Sequence, residues 1–358
     1  MTTFILRRIV LAVPVLLGIL LVTFILGRSI PGDPCKAMLG EKATAEVCDA
    51  FSERHGLNEP ILTQFAIYIT NVVRGDLGES FRFGGPVTDL LVERLPVTVE
   101  LAITALIFAV IVGIPMGIVS AYRYNSKLDL VTMVGANVGV SMPVFWLGLM
   151  LAFIFGVLLK DTPFSLPPSG RLSPGVTYAP FYLTWGLASS ENAASGLLIF
   201  LSRLNILNSI LTLNGTQFVD TMRHLLLPAM AVGTIPLSIV ARMTRSSVLE
   251  VLNQDYVRTA RAKGLSEYRV VIRHAVSNAL LPVVTIIGLN FGGLIAGAVL
   301  TETIFGFAGI GKTLFEGITA RDYSLVQGVT LVTAIAFVVI NLLVDVLYGY
   351  LDPRIRLN

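Results

Sequence analysis

Hydrophobic positions along this chain come in long blocks. Six stretches carry no Asp, Glu, Lys or Arg: Ile9–Gly27, Leu101–Tyr122, Leu130–Leu159, Leu225–Ala241, Ala275–Thr301 and Tyr323–Val344. About 20 apolar residues are needed to cross ~30 Å of hydrocarbon as a helix. Each block therefore predicts a transmembrane helix, the fourth borrowing from its flank up to about Leu249. Pro14, Pro115, Pro143, Pro228, Pro236 and Pro282 fall inside these blocks. Membrane helices tolerate proline because neighbouring helices re-satisfy the freed backbone groups. The predicted fold class is all-α: a polytopic membrane protein with six transmembrane helices.

Composition agrees. Of 358 residues, 54% are hydrophobic and 14% charged, against roughly 25% charged in a soluble domain. So little charge cannot cover a soluble surface of this size. A cytosolic enzyme, a disordered chain and a nucleic-acid binder with a broad basic face are all excluded.

Charge placement sets the orientation. Arg7 and Arg8 put the amino terminus inside by the positive-inside rule, and seven Lys/Arg between Arg242 and Arg273 mark a second inner segment. An even number of crossings must separate them, and four does. Ser195–Leu213 is also apolar but carries Arg203. Counting it would place the basic segment outside, so it is expected as an amphipathic helix at the outer interface. An eight-span scheme using Leu172–Ser190 is disfavoured by that stretch's prolines and polar tone. The first block resembles a signal peptide, but it is long and has no small-x-small site after it, so it is expected to stay as a span.

The resulting organisation is a first transmembrane helix (1–27), an outer segment (28–95) and a core transmembrane domain (96–358). The core carries an outer insertion (160–224) and an inner segment (250–274). Cys35 and Cys48 both fall outside, where disulfides are permitted. A bridge would add ~3 kcal/mol; a bridge and two free thiols both remain open. Three scattered histidines show no ligand spacing, and no metal or cofactor site is expected.

Gly306-Phe-Ala-Gly-Ile-Gly311-Lys312-Thr313 fits the phosphate-loop pattern letter for letter. That chemistry needs a preceding buried strand, a following helix and a metal-binding acid. Here a membrane span precedes it and the topology puts it outside, away from ATP. It is expected to be a glycine-rich turn at the outer end of the fifth span.

The informative stretch is inside. Val251–Lys263 reads as a helix with Gly264 as its C-cap, and Ser266 followed by Glu267 opens a second helix. A basic helix pair presented to the cytoplasm is a partner-docking element. Asp255-Tyr-Val-Arg-Thr-Ala-Arg-Ala-Lys-Gly264 resembles the inner loop of binding-protein-dependent ABC importer permeases, whose pattern is Glu-Ala-Ala-x-x-x-Gly followed by Leu-Pro. Arg258-Thr259-Ala260 stand at the Glu-Ala-Ala positions and Gly264 at the glycine. Leu281-Pro282 comes later than in sugar importers, as in the peptide-importer branch. Tyr256 to Leu265 and Arg273 to Pro282 follow that branch closely. So do Phe4–Arg8, Pro31–Pro34, Gly75–Gly78, Ser141–Pro143, Ala241–Ser247, Thr301–Phe305, Arg321–Tyr323 and Asp352–Arg356. The chain is similar to the first permease subunit of the dipeptide/oligopeptide family.

The resemblance implies a type I ABC importer permease fold in the bacterial inner membrane, with both termini cytoplasmic. It implies a second homologous permease subunit, two cytoplasmic ATP-binding subunits, an outer solute-binding protein and a peptide substrate. The chain itself would catalyse nothing. Tyr256, Arg258, Thr259, Ala260, Arg261, Ala262, Lys263, Gly264 and Leu265 would form the coupling helix that docks on an ATPase. Glu100, Glu302, Asp345, Asn137, Ser141, Asn290 and Asn341 are candidate substrate-path residues, each equally readable as structural. Nickel or short oligosaccharides are alternative cargoes. An ion-coupled transporter should show an inverted repeat with broken helices, and a membrane enzyme a catalytic set; neither pattern is evident.

Overall fold

The computed structural model describes residues 2–29, 35, 43–54 and 58–351. The first span is α1 (Thr2–Ser29). Two short helices, α2 (Ala45–Arg54) and α3 (Ile61–Val73), and a two-rung hairpin, β1 (Glu79–Ser80) with β2 (Gly85–Pro86), follow outside. The remaining long helices are α4 (Val87–Tyr122), α5 (Lys127–Ser141) and α6 (Val144–Phe153), the last continuing as a π-turn to Leu158. The insertion holds α7 (Phe181–Thr184), α8 (Gly196–Ser202) and α9 (Asn205–Leu211). Then come α10 (Gly215–Leu252), α11 (Asp255–Ala262) and α12 (Glu267–Arg269). A π-turn (Val270–Val276) leads into α13 (Ser277–Gly297), followed by α14 (Val299–Ile304), α15 (Ile310–Thr319) and α16 (Tyr323–Leu351).

Among the described residues five helices are long and apolar enough to cross a membrane, or six if one sharply bent pair counts as a single span. That pair is α5 and α6, which meet at 103°. The charge-free block Leu130–Leu159 is therefore not one straight rod. Pro143 breaks it, since the residue before proline is pushed out of the helical region: Met142 sits at φ −83°, ψ 134°. Two other helices outrun their apolar blocks. α4 starts at Val87 and α10 at Gly215, each extending past the hydrocarbon with polar residues. Ser195–Leu213 is two helices rather than one, broken at Arg203–Leu204.

The core forms where α4 and α10 cross. A Cβ on Gly113 would lie 2.9 Å from the carbonyl oxygen of Leu237, and one on Gly117 only 2.6 Å from that of Ala241. Small residues one turn apart let the two backbones touch. Leu101, Ala105, Leu227, Ala229, Ala231, Phe305 and Phe307 are buried around this crossing.

At the end of the bundle that carries the 160–224 insertion, buried polar groups tie the loops to the core. Glu100, 3% exposed, pairs with Arg171 at 2.6 Å and accepts the Ile206 amide at 2.7 Å. It therefore anchors the insertion and is not a free group of a substrate path. Asn208 accepts the Phe181 amide and donates to Ala179 and Gln217. Asp220 accepts both the amide and the hydroxyl of Ser173. On the other rim, buried Asp322 takes the Ser80 hydroxyl at 2.7 Å and the Arg82 amide, and caps α16 through the Leu325 amide. Phe24 of α1 packs on Phe65 and Tyr68 of α3. Cys35 and Cys48 are disulfide-bonded, with Cα atoms 5.3 Å apart.

Candidate coupling site

α10 ends at Leu252, and the chain turns through Asn253 and Gln254 before α11 begins at Asp255. The helix expected over Val251–Lys263 is thus interrupted, and α11 is a separate two-turn element. Only two of its residues are buried, Val257 and Ala260. They pack on Val270, with Val251, Leu252 and Leu265 alongside. This small apolar seam holds the element against the following π-turn.

Gly264 makes the return. It sits at φ +75°, and its amide donates to Arg261 at 2.9 Å. Nothing lies within 4 Å of where its Cβ would be. The glycine is required for backbone conformation, not for space. Across the turn Arg261 grips Glu267 with two bonds, Nη2 to Oε1 at 2.8 Å and Nε to Oε2 at 3.2 Å. That bidentate grip raises the Arg261 guanidinium further above its usual range. Ser266 occupies the N-cap position before α12 without a side-chain cap bond.

The residues expected to dock divide by direction. Arg258, Thr259, Ala262 and Lys263 are exposed, and Arg261 is exposed while holding Glu267. Ala260 faces the seam and Leu265 is half-buried. Tyr256 turns back: its hydroxyl donates to the His274 carbonyl at 3.3 Å and accepts from Asn278 at 2.9 Å. Tyr268, 75% exposed at the tip, belongs to the same surface and was outside the expected set. Its lone aromatic ring among charges was the available signal.

About two turns before the end of α10, Arg245 clamps Asp129 at the start of α5, with bonds of 2.8 and 2.9 Å. Asp129 also takes the Ser120 hydroxyl from α4 and the Asn125 amide. Asp129 and Ala136 are the buried residues of α5, so this ion pair holds the inner end of that helix. It joins three spans beside the docking element, and the sequence alone did not single it out.

Two of the other candidates, Asp345 and Glu302, have structural partners, whereas the buried Asn341 Oδ1 has none among the described residues. Asp345 pairs with Arg8 at 3.0 Å. Glu302, fully buried, explains the phosphate-loop pattern. Its carboxylate accepts the Thr98 hydroxyl and, at 2.9 Å, the amide of Lys312 at the start of α15. Thr98 in turn accepts the Ile310 amide. The helix N-terminus that would cradle a phosphate is filled by the chain's own carboxylate. Burial pushes that carboxyl above the usual range, against the opposing pull of Thr98 and the backbone amides.

The protein is a bundle of long apolar helices carrying an exposed basic element and polar-anchored loops, the build of a polytopic membrane protein. Its sequence matches the family model for the inner membrane component of binding-protein-dependent transport systems over residues 113–357, and the N-terminal model of that component over 1–102. The chain belongs to this family and is a non-catalytic permease. It is 45% identical to a dipeptide transport system permease protein of Alkalihalophilus pseudofirmus, covering 99% of this chain and 100% of the relative. The dipeptide transport permease of Escherichia coli K12 is 43% identical, with 99% of each chain covered. An oligopeptide transport system permease protein of Bacillus subtilis is 36% identical over 99% of this chain and 100% of the relative.

Proposed function

We propose that this chain is one permease subunit of an ATP-driven importer for dipeptides and short oligopeptides. The observation that carries the reading is the full-length match to peptide permeases together with a structured, solvent-facing basic element. The assembly comprises a second homologous permease, two cytoplasmic ATP-binding subunits and an outer solute-binding protein. It sits in the bacterial inner membrane with both termini of this chain cytoplasmic, as the placement of Arg7, Arg8 and the 242–273 cluster supports.

In this reading α11 and the Gly264 turn dock on an ATPase. Closure of the ATPase pair on ATP moves the docked element and, through α10 and the Arg245–Asp129 clamp, the spans. Access then alternates between the two sides by rigid-body motion. The test is co-purification of the tagged chain with its three cytoplasmic and membrane partners, followed by uptake of a labelled dipeptide. Solute-binding-protein-dependent uptake that stops without ATP supports the reading. An intact complex that hydrolyses ATP in response to a sugar-loaded or nickel-loaded binding protein, and not to peptide, would overturn it.

A further inference from the structure

One face of the molecule remains unexplained by anchors or docking. Two openings lie along the same side of α10, where Ile235 and Arg242 stand two turns apart. The inner one, about 710 Å³, is lined by Lys127, Asp129, Asn137, Arg242 and Arg245. The central one, about 370 Å³, lies beside the bend between α5 and α6 and is lined by Val144, Val232, Ile235, Pro236, Leu289 and Asn290.

Three polar groups are set along this face at membrane depth. Asn137 and Ser141 are exposed one turn apart on α5, with the Ser141 hydroxyl donating to the Asn137 carbonyl. Asn290 on α13 spends its amide N–H on the Ile286 carbonyl at 2.7 Å. Among the described residues its Oδ1 accepts no hydrogen bond, so the oxygen is open to the central cavity. An uncompensated amide oxygen facing hydrocarbon is costly. Such groups inside a membrane face water or a polar ligand. Arg242 gives the inner opening an exposed cation. The polar groups are thus an amide acceptor in the central opening, Ser141 at the adjoining bend, and Asn137 together with a cation at the other opening. That order matches the chemistry of a zwitterionic chain of amides, whose N–H groups need acceptors and whose carboxylate needs a cation.

We propose that the α5–α10–α13 face is this subunit's half of the translocation path, with Asn290 reading main-chain N–H groups of the passing peptide and Arg242 receiving its carboxylate. The other half comes from whatever chain covers this face. The assignment rests on the importer reading above, and the test keeps the two apart.

The two native cysteines are bonded to each other, so single introduced cysteines report cleanly. Asn290→Cys, Asn137→Cys and, as a lipid-facing control on α4, Ile111→Cys (66% exposed) are placed in the assembled transporter. Inverted membrane vesicles are then treated with a charged, water-soluble maleimide. Without nucleotide, the first two are expected to react at least tenfold faster than Ile111→Cys. Vanadate trapping with ATP should slow Asn290→Cys at least fivefold. Asn290→Cys as inert as the control in both states would overturn the path, whether lipid or a partner helix is the cover. In a second arm Asn290→Leu should cut dialanine uptake at least fivefold with ATP hydrolysis retained; unchanged uptake overturns the ligand assignment. Wild-type uptake of dialanine without labelling sinks the path alone. Labelling in a complex that takes up no peptide leaves the path and sinks the cargo.

Discussion

The 160–224 insertion and the segment around α11 use polar side chains to opposite ends. At the insertion, Glu100 of α4, Asn208 and Asp220 are turned inward and take hydrogen bonds from Arg171, Ile206, Phe181 and Ser173. Around α11, Arg258 and Lys263 are turned to solvent, and the element is held by a seam of a few small apolar side chains. The contrast teaches where polarity stores shape and where it stores availability. Buried ionic anchors are costly to break, so the outer cap keeps one geometry. Exposed charges cost little to move, so the inner element can engage and follow a partner.

Substitutions at four positions probe that contrast, taken from the largest expected effect on stability to the smallest. Glu100→Ala leaves Arg171 without its carboxylate and the Ile206 amide unpaired. It should cost about 3 kcal/mol and open the 160–224 region to protease, which limited proteolysis of purified protein would detect. Cleavage at the wild-type rate would mean the anchor is dispensable. Asp129→Ala frees Arg245 at the inner end of α5. A loss of about 2 kcal/mol is expected, with uptake falling further than ATP hydrolysis; equal falls would mark a purely structural pair.

Gly264→Val forces a β-branched residue to φ +75° and should cost about 1–2 kcal/mol locally. Membrane insertion should persist while transport uncouples from hydrolysis. Because no atom crowds the missing Cβ, Gly264→Asn should stay near wild type, since asparagine tolerates the left-handed region. If Asn failed as badly as Val, space and not conformation would be the constraint. Last, Arg258→Glu lies on an exposed side chain whose pair with Asp255 is also exposed. Melting should shift by no more than about 0.5 kcal/mol equivalent. Affinity for the ATPase should fall roughly tenfold, measured by titrating detergent-solubilised complex. An unchanged affinity would remove Arg258 from the docking surface.

What could be read from the sequence follows the same division. The turn at Gly264 was legible because its determinants are local, the glycine and the basic run lying within a dozen residues, whereas the break at Asn253–Gln254 inside the expected Val251–Lys263 helix was not. The spans were legible because burial in lipid demands length and apolarity alone. The anchors were not, because each joins residues far apart in the chain: Glu100 with Arg171, Thr98 with Glu302, Ser80 with Asp322. The helix starts at Val87 and Gly215 were missed for a related reason. Asp89, Glu93, Asp220 and Arg223 look like loop residues when only hydrocarbon-depth apolarity is counted. The bend at Met142–Pro143 is hidden by a block that stays apolar on both sides of it.

The carboxylate seated at the start of α15 has a consequence for the nucleotide stoichiometry of the whole assembly. A phosphate entering the Gly306–Thr313 loop would have to expel Glu302, which is covalently attached a few residues upstream and already bonded to Thr98 and the Lys312 amide. Competition from solution against such a tethered occupant is lost at ordinary ligand concentrations. A saturation titration of the assembled transporter should therefore count binding sites on its ATPases alone, with none contributed by the subunit that carries the matching letters.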